Sequence, residues 1–164
     1  MPNHVYLDYN ATTPVAPEVV DVMIPWFTER FWNAASAHSM GAMANDAVET
    51  ARQQVADFIG AHPNEIVFTS GSTESINLAL KGALSASPDR TGIVTVATEH
   101  KAVLDTAAWL AEQGASTCVL PVTASGEIDP ELFAGSVDEH TAVVSVMAAN
   151  NETGVIADLV VPVD

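Results

Sequence analysis

Three short polar stretches carry residue types able to do chemistry: Gly71-Ser72-Thr73, Thr98-Glu99-His100-Lys101 and Asn150-Asn151-Glu152-Thr153-Gly154. The first stands between an apolar run and a helical pattern. At a helix start it offers free backbone N–H groups, two hydroxyls and the positive end of the helix dipole, which together suit a phosphate. The same residues also make an ordinary helix start with Ser72 or Thr73 as N-cap, and on this stretch alone capping is the simpler reading. No Gly-Lys-Ser/Thr follows, so this is not a Walker loop. The two further glycines of the dinucleotide fingerprint are absent as well. Glu74, in the first helical turn, would repel a phosphate unless it turns away. His100 could stack on a cofactor or shuttle a proton; taken alone, it is a polar residue at a helix start. Residues 150–154 alone read as a turn, with Gly154 taking the awkward backbone angle.

Other reactive residue types offer less. His4, His38, His62 and His140 show no metal-ligand spacing with His100 or with each other, so no metal is expected. Cys118 is the single cysteine; it allows no intrachain disulfide and lies in an apolar strand pattern where a thiol is inert. The 164 residues include 21 acidic against 5 basic ones, a formal charge of −16. That balance argues against nucleic acid, whose phosphates need clustered Lys and Arg, and against an anionic membrane surface. No apolar run approaches the roughly 20 residues of a membrane span, and the start shows no secretory pattern. A cytoplasmic location is the expectation.

The polar stretches must be held by the elements between them. Residues up to about 60 read as a lead-in and two helices. Pro14 and Pro17 bracket the first helix, which carries Val19, Val20, Met23 and Phe27. The second aligns Val48, Ala51, Val55, Phe58 and Ile59, then ends at Gly60 and Pro63. From residue 61 onward the pattern is α/β. Strands are expected at 66–69, 93–97, 117–122 and 142–147. Helices are expected after Gly71, with Ile76, Leu80, Ala83 and Leu84 inward, at 102–113, and briefly at 130–134. Alternation at this spacing predicts a mostly parallel sheet with flanking helices. Open parallel sheets bind ligands outside the carboxyl ends of their strands, and three of the four expected strand ends carry the polar stretches. The third strand instead runs into a plain turn, residues 123–126.

Together, in this order, the motifs resemble the cysteine desulfurase branch of the class V aminotransferases, which are fold-type I pyridoxal 5′-phosphate enzymes. The resemblance begins at Tyr6-Leu7-Asp8-Tyr9-Asn10-Ala11-Thr12-Thr13-Pro14. It continues through Asn33-Ala34-Ala35-Ser36 with His38, where the family usually has Pro in place of Ala34. Glu65-Ile66-Val67-Phe68-Thr69-Ser70-Gly71-Ser72-Thr73-Glu74-Ser75 is the most specific match, followed by Thr98-Glu99-His100-Lys101-Ala102-Val103 and Asn150-Asn151-Glu152-Thr153-Gly154. The resemblance implies that Ser72 and Thr73 hold the cofactor phosphate. It implies that His100 stacks on the pyridine ring and acts catalytically by moving protons. Asn151 would hydrogen-bond the phenolic oxygen and reach toward the substrate carboxylate. The implied reaction takes sulfur from L-cysteine, giving alanine and a persulfide for iron–sulfur or other sulfur pathways. The implied partners are a second copy in a homodimer and sulfur-acceptor proteins.

The resemblance covers the N-terminal part of such an enzyme. In the family the Schiff-base lysine, the carboxylate on the pyridine nitrogen, the sulfur-accepting cysteine and an arginine for the substrate follow the Asn-Asn-Glu segment. Here only Lys81 and Lys101 exist, and the stretch 155–164, with Val160-Val161-Pro162, departs from the family pattern. The expectation is an incomplete large domain, divided into residues 1–60 and 61–164, inactive alone. A shortened sheet is expected to leave apolar surface exposed. The alternatives are a non-catalytic module that binds a phosphate-bearing ligand or a partner, and another class V activity such as a selenocysteine lyase.

Overall fold

The computed structural model describes residues 5–157. It divides into two compact units, one ending at Phe68 and the other beginning at Thr69. Gly60 is the C-cap of α2 (Ser39–Ile59) in the first unit. The unusual stretch around Val160-Val161-Pro162 lies outside the described residues.

The first unit holds α1 (Pro17–Thr28), α2 (Ser39–Ile59) and a 3₁₀ turn (Pro63–Glu65). Pro17 opens α1 at a position where a missing N–H costs nothing. The imidazole of His38 caps α2 by accepting the Gly41 N–H at 3.1 Å. Gly60, at φ 71°, closes α2 as expected. The stripe of larger apolar residues on α2 behaves otherwise than the pattern implies: the buried positions are Gly41, Ala44 and Ala56, while Val48, Val55, Phe58 and Ile59 stay exposed. On α1 no residue is buried, and Phe27 is 72% exposed.

The expected strand at 66–69 does not form: those residues join no ladder among the described residues. A strand exists only where a neighbouring backbone takes its N–H and C=O groups, and here the Ile66 carbonyl is taken by the Arg52 guanidinium of α2. The same guanidinium lies 5.1 Å from the Phe68 ring centroid. The segment is pinned to α2 by one side chain, and Val67 remains 62% exposed.

The second unit is an α/β layer structure. Its elements run α3 (Ser72–Ala86), β1 (Gly92–Val96), α4 (Lys101–Glu112), β2 (Ser116–Leu120), α5 (Pro130–Ala134) and β3 (Thr141–Ser145). The three strands form one sheet in the order β2-β1-β3, and both pairings are parallel. Side chains alternate across β1. Ile93 joins Leu80 of α3 and Val103, Ala107 and Leu110 of α4 in one core. Val94 and Val96 join Leu120 and Phe133 in a second core. Cys118, half-buried in β2, packs against that second core. The short α5 is set by Pro130 at its first turn and by Asp129, whose carboxylate accepts the N–H groups of Glu131 and Leu132 at 2.9 and 3.2 Å.

Leu80 is 3% exposed and Leu78, on the same helix, 52%. Leu80→Ala is therefore expected to lower unfolding stability by about 2–5 kcal/mol, and Leu78→Ala by much less. Urea titrations of the two variants, followed by circular dichroism, check this.

Candidate functional site

The second unit brings the ends of its parallel strands and the starts of its helices to one edge. At α3 the N-cap is Gly71, so neither Ser72 nor Thr73 caps the helix, and no side-chain cap bonds to its first N–H groups. Ser72 and Thr73 are the first two helical residues and both are exposed. Gly71 has φ 157° and ψ −177°, a region essentially restricted to glycine. A Cβ there would meet nothing within 4 Å. The restriction is therefore in the backbone, and the space over the helix mouth is open. Residues present fit a phosphate: first-turn N–H groups without a side-chain cap, two adjacent hydroxyls and room above them.

The rim of this mouth is tied by side chains. Thr69 and Ser75 share a hydroxyl–hydroxyl bond of 2.6 Å, and the Ser75 hydroxyl donates to the Gly71 carbonyl at 3.1 Å. Glu74 turns back rather than over the mouth: one carboxylate oxygen accepts the Ser70 hydroxyl at 2.6 Å and the Ser70 N–H at 2.7 Å. The Ser70 hydroxyl, and secondly its N–H, hold the Glu74 carboxyl below the usual glutamate range. Glu74 is thus ionised near neutrality, but its charge is engaged by Ser70.

His100 follows β1 and is the N-cap of α4. Its Nδ1 accepts the Ala102 N–H at 3.0 Å, and its own N–H donates to the Glu99 carboxylate at 2.9 Å. A backbone N–H can only donate, so Nδ1 is bare and the neutral ring carries its proton on Nε2. Asn151 lies in the turn after β3 and is exposed. Its neighbour Asn150 organises that turn. The Asn150 side-chain oxygen accepts from the N–H groups of Glu152 and Thr153 at 3.0 and 2.8 Å. Its amide donates to the Thr98 carbonyl at 2.8 Å. The turn bearing Asn151 and the loop bearing His100 are therefore joined directly.

Thr73 of α3 and Ala102 of α4 line one open cleft of about 260 Å³, so the first turns of the two helices lie side by side. Farther along, the Lys81 ammonium sits 4.4 Å from the Trp109 ring centroid. Lys101 is exposed and paired with Asp105 at 2.5 Å. Glu99 and Asn150 were not singled out by sequence reasoning. Glu99 is buried and Asn150 crosses between strand ends, and neither fact has a local sequence signal. No helix among the described residues is long and apolar enough to cross a membrane.

A parallel α/β frame with this helix mouth and these strand-end loops defines a class of protein, and the family model for class-V aminotransferases matches residues 5–161. The chain belongs to that family. Its relatives are cysteine desulfurases. The mitosomal cysteine desulfurase of Trachipleistophora hominis is 46% identical over 162 residues, 96% of this chain and 37% of that protein. Cysteine desulfurase IscS of Dechloromonas aromatica is 51% identical over 155 residues, 93% of this chain and 38% of that protein. A solved NifS-like protein matches with a TM-score of 0.87 and 44% identity, over 94% of this chain and 43% of its own. The chain thus spans well under half the length of the relatives it matches.

Because the folded value of the Glu74 carboxyl is depressed, its contribution to stability is present above the unfolded value and is lost as pH falls through the folded one. A ¹³C carboxyl titration should place Glu74 below the usual glutamate range, and Ser70→Ala should raise it toward that range. An unchanged titration in Ser70→Ala would remove the hydroxyl as the cause.

Proposed function

We propose that this chain is the phosphate- and ring-holding part of a pyridoxal-phosphate-dependent cysteine desulfurase acting on L-cysteine, with residues 61–164 as the cofactor-holding portion. The observation that carries the reading is the α3 mouth, which no side chain caps and whose first turn shares a cleft with the helix that His100 caps. Ser72 and Thr73 would donate hydroxyl and backbone hydrogen bonds to the phosphate, aided by the helix dipole. His100 would lie against the ring and, with Nδ1 engaged by the α4 cap, present Nε2–H as a hydrogen-bond donor. Asn151 would donate to the phenolic oxygen and the substrate carboxylate. When bound, the cofactor supplies an electron sink for the carbon–sulfur chemistry; binding and orientation fall to the protein. A homodimer, sulfur-acceptor proteins and a role in iron–sulfur biogenesis belong to the same reading. So does a cytoplasmic setting, which rests on the acidic surface and the single reduced cysteine; a mitosomal relative makes an organelle the competing location.

A second reading, a non-catalytic module for a phosphate-bearing ligand, is favoured by the lysines. Lys101 is paired with Asp105, and Lys81 is stacked on Trp109, so neither is presented as the amine that pyridoxal chemistry requires.

Thr73→Ala is expected to weaken pyridoxal phosphate about tenfold, as for one lost hydrogen bond to a charged group at about 1.5 kcal/mol. Equal affinities by absorbance titration would take Thr73 out of the site. Borohydride reduction of the 164-residue chain with the cofactor should give no stoichiometric lysine adduct, and incubation with cysteine no alanine. A specific adduct on Lys101 together with turnover would show that these residues suffice for catalysis.

A further inference from the structure

Glu99 is the one charged residue in the buried class among the described residues, at 8% exposure. A carboxylate is costly to bury unless its oxygens are occupied, and here both are. One accepts the His100 N–H at 2.9 Å. The other is approached by the Ser145 hydroxyl of β3 at 3.4 Å. Ser145 is itself held, since its carbonyl accepts the hydroxyl of fully buried Thr95 at 3.0 Å. A continuous run of hydrogen bonds thus links β1, β3 and the backbone at which α4 begins. It ends on the residue whose ring is oriented by a second bond, from the Ala102 N–H to Nδ1.

We propose that Glu99 is a positioning residue for His100: it fixes the backbone from which the imidazole caps α4, and so holds the ring in one orientation with its proton on Nε2. The consequence for cofactor binding rests on the function proposed above; the orientation of the ring does not. Removing the carboxylate leaves the His100 N–H without its acceptor and releases the Ser145 hydroxyl of β3. The ring then samples positions in which Nδ1 no longer caps, and both neutral tautomers become populated.

The test uses the ¹⁵N-labelled 164-residue chain without ligand. Long-range imidazole ¹H–¹⁵N spectra above the range where histidine ionises should show His100 as a single Nε2–H tautomer. Glu99→Ala should shift its two nitrogens toward the averaged positions of a mixture. Glu99→Gln, which keeps an acceptor oxygen, should restore the wild-type pattern. Leu80→Ala, a variant that only loosens the core, should lower stability without moving the His100 nitrogens. Unchanged His100 nitrogens in Glu99→Ala would overturn the proposal. If that variant does not fold, Ser145→Ala, which releases only the far carboxylate oxygen, should shift them in the same direction, and no shift overturns it equally. Pyridoxal phosphate titration then separates the two ideas. About fivefold weaker binding by Glu99→Ala, the equivalent of one ordinary hydrogen bond, supports both. A tautomer shift with unchanged affinity supports the positioning role and removes His100 from the cofactor ring.

Discussion

The central strand of the sheet meets water on neither edge and on neither face. Strand β1 is paired on both sides, and Ile93, Val94, Thr95 and Val96 are all buried. Both pairings are parallel, so each neighbour must be reached by a crossover, and a helix is the economical way to satisfy a crossover's backbone. That constraint places α4 against Ile93 and sends the chain out of β1 at its carboxyl end through Thr98, Glu99 and His100. It also brings β3 out at the same end, where Asn150 reaches back to the Thr98 carbonyl. The chemistry-bearing residues are together because the strand they surround has no exposed side.

What was legible in the sequence follows from which features are local. Apolar spacing gave α3, α4 and the three paired strands, because the burial of Leu80, Leu110 and Ile93 repeats at helix and strand periods. The short α5 was legible near Pro130, because a proline at the first helical position acts within one turn. The segment at 66–69 has the composition of a strand but no ladder, since pairing is a property of two segments and composition belongs to one. Capping at α3 is likewise not readable from residue type alone. Ser72 and Thr73 are capping residue types, but Gly71 takes the N-cap and Glu74 turns back to Ser70. As site candidates, Ser72, Thr73, His100 and Asn151 could be named from motif order. Glu99 and Asn150 could not, because their roles depend on β3 being beside β1.

The two units differ in how far they satisfy their own apolar residues. In the second, two cores lie on opposite faces of the sheet. In the first, α1 has no buried residue, and Val67 and Phe58 are exposed along with Ile59 and Phe27. Soluble monomers rarely leave apolar residues so concentrated on successive elements. The relatives are more than twice as long as the portion matched here.

One chemical device recurs at the helix starts and ties structure to the proposed chemistry. His38 and His100 begin α2 and α4, and His62 begins the 3₁₀ turn, each accepting a backbone N–H at Nδ1. In all three rings the neutral form must carry its proton on Nε2, because a protonated Nδ1 has no lone pair to offer. At His38 and His62 this is a matter of helix geometry. At His100 it also limits what the ring can do beside a ligand. The ring can donate a hydrogen bond from Nε2–H without disturbing α4, whereas taking up a proton at Nδ1 would break the cap. With the cap intact the ring therefore meets a ligand as a hydrogen-bond donor at Nε2, and proton transfer at His100 is coupled to the start of α4, because the second ring proton must go to the nitrogen that caps the helix.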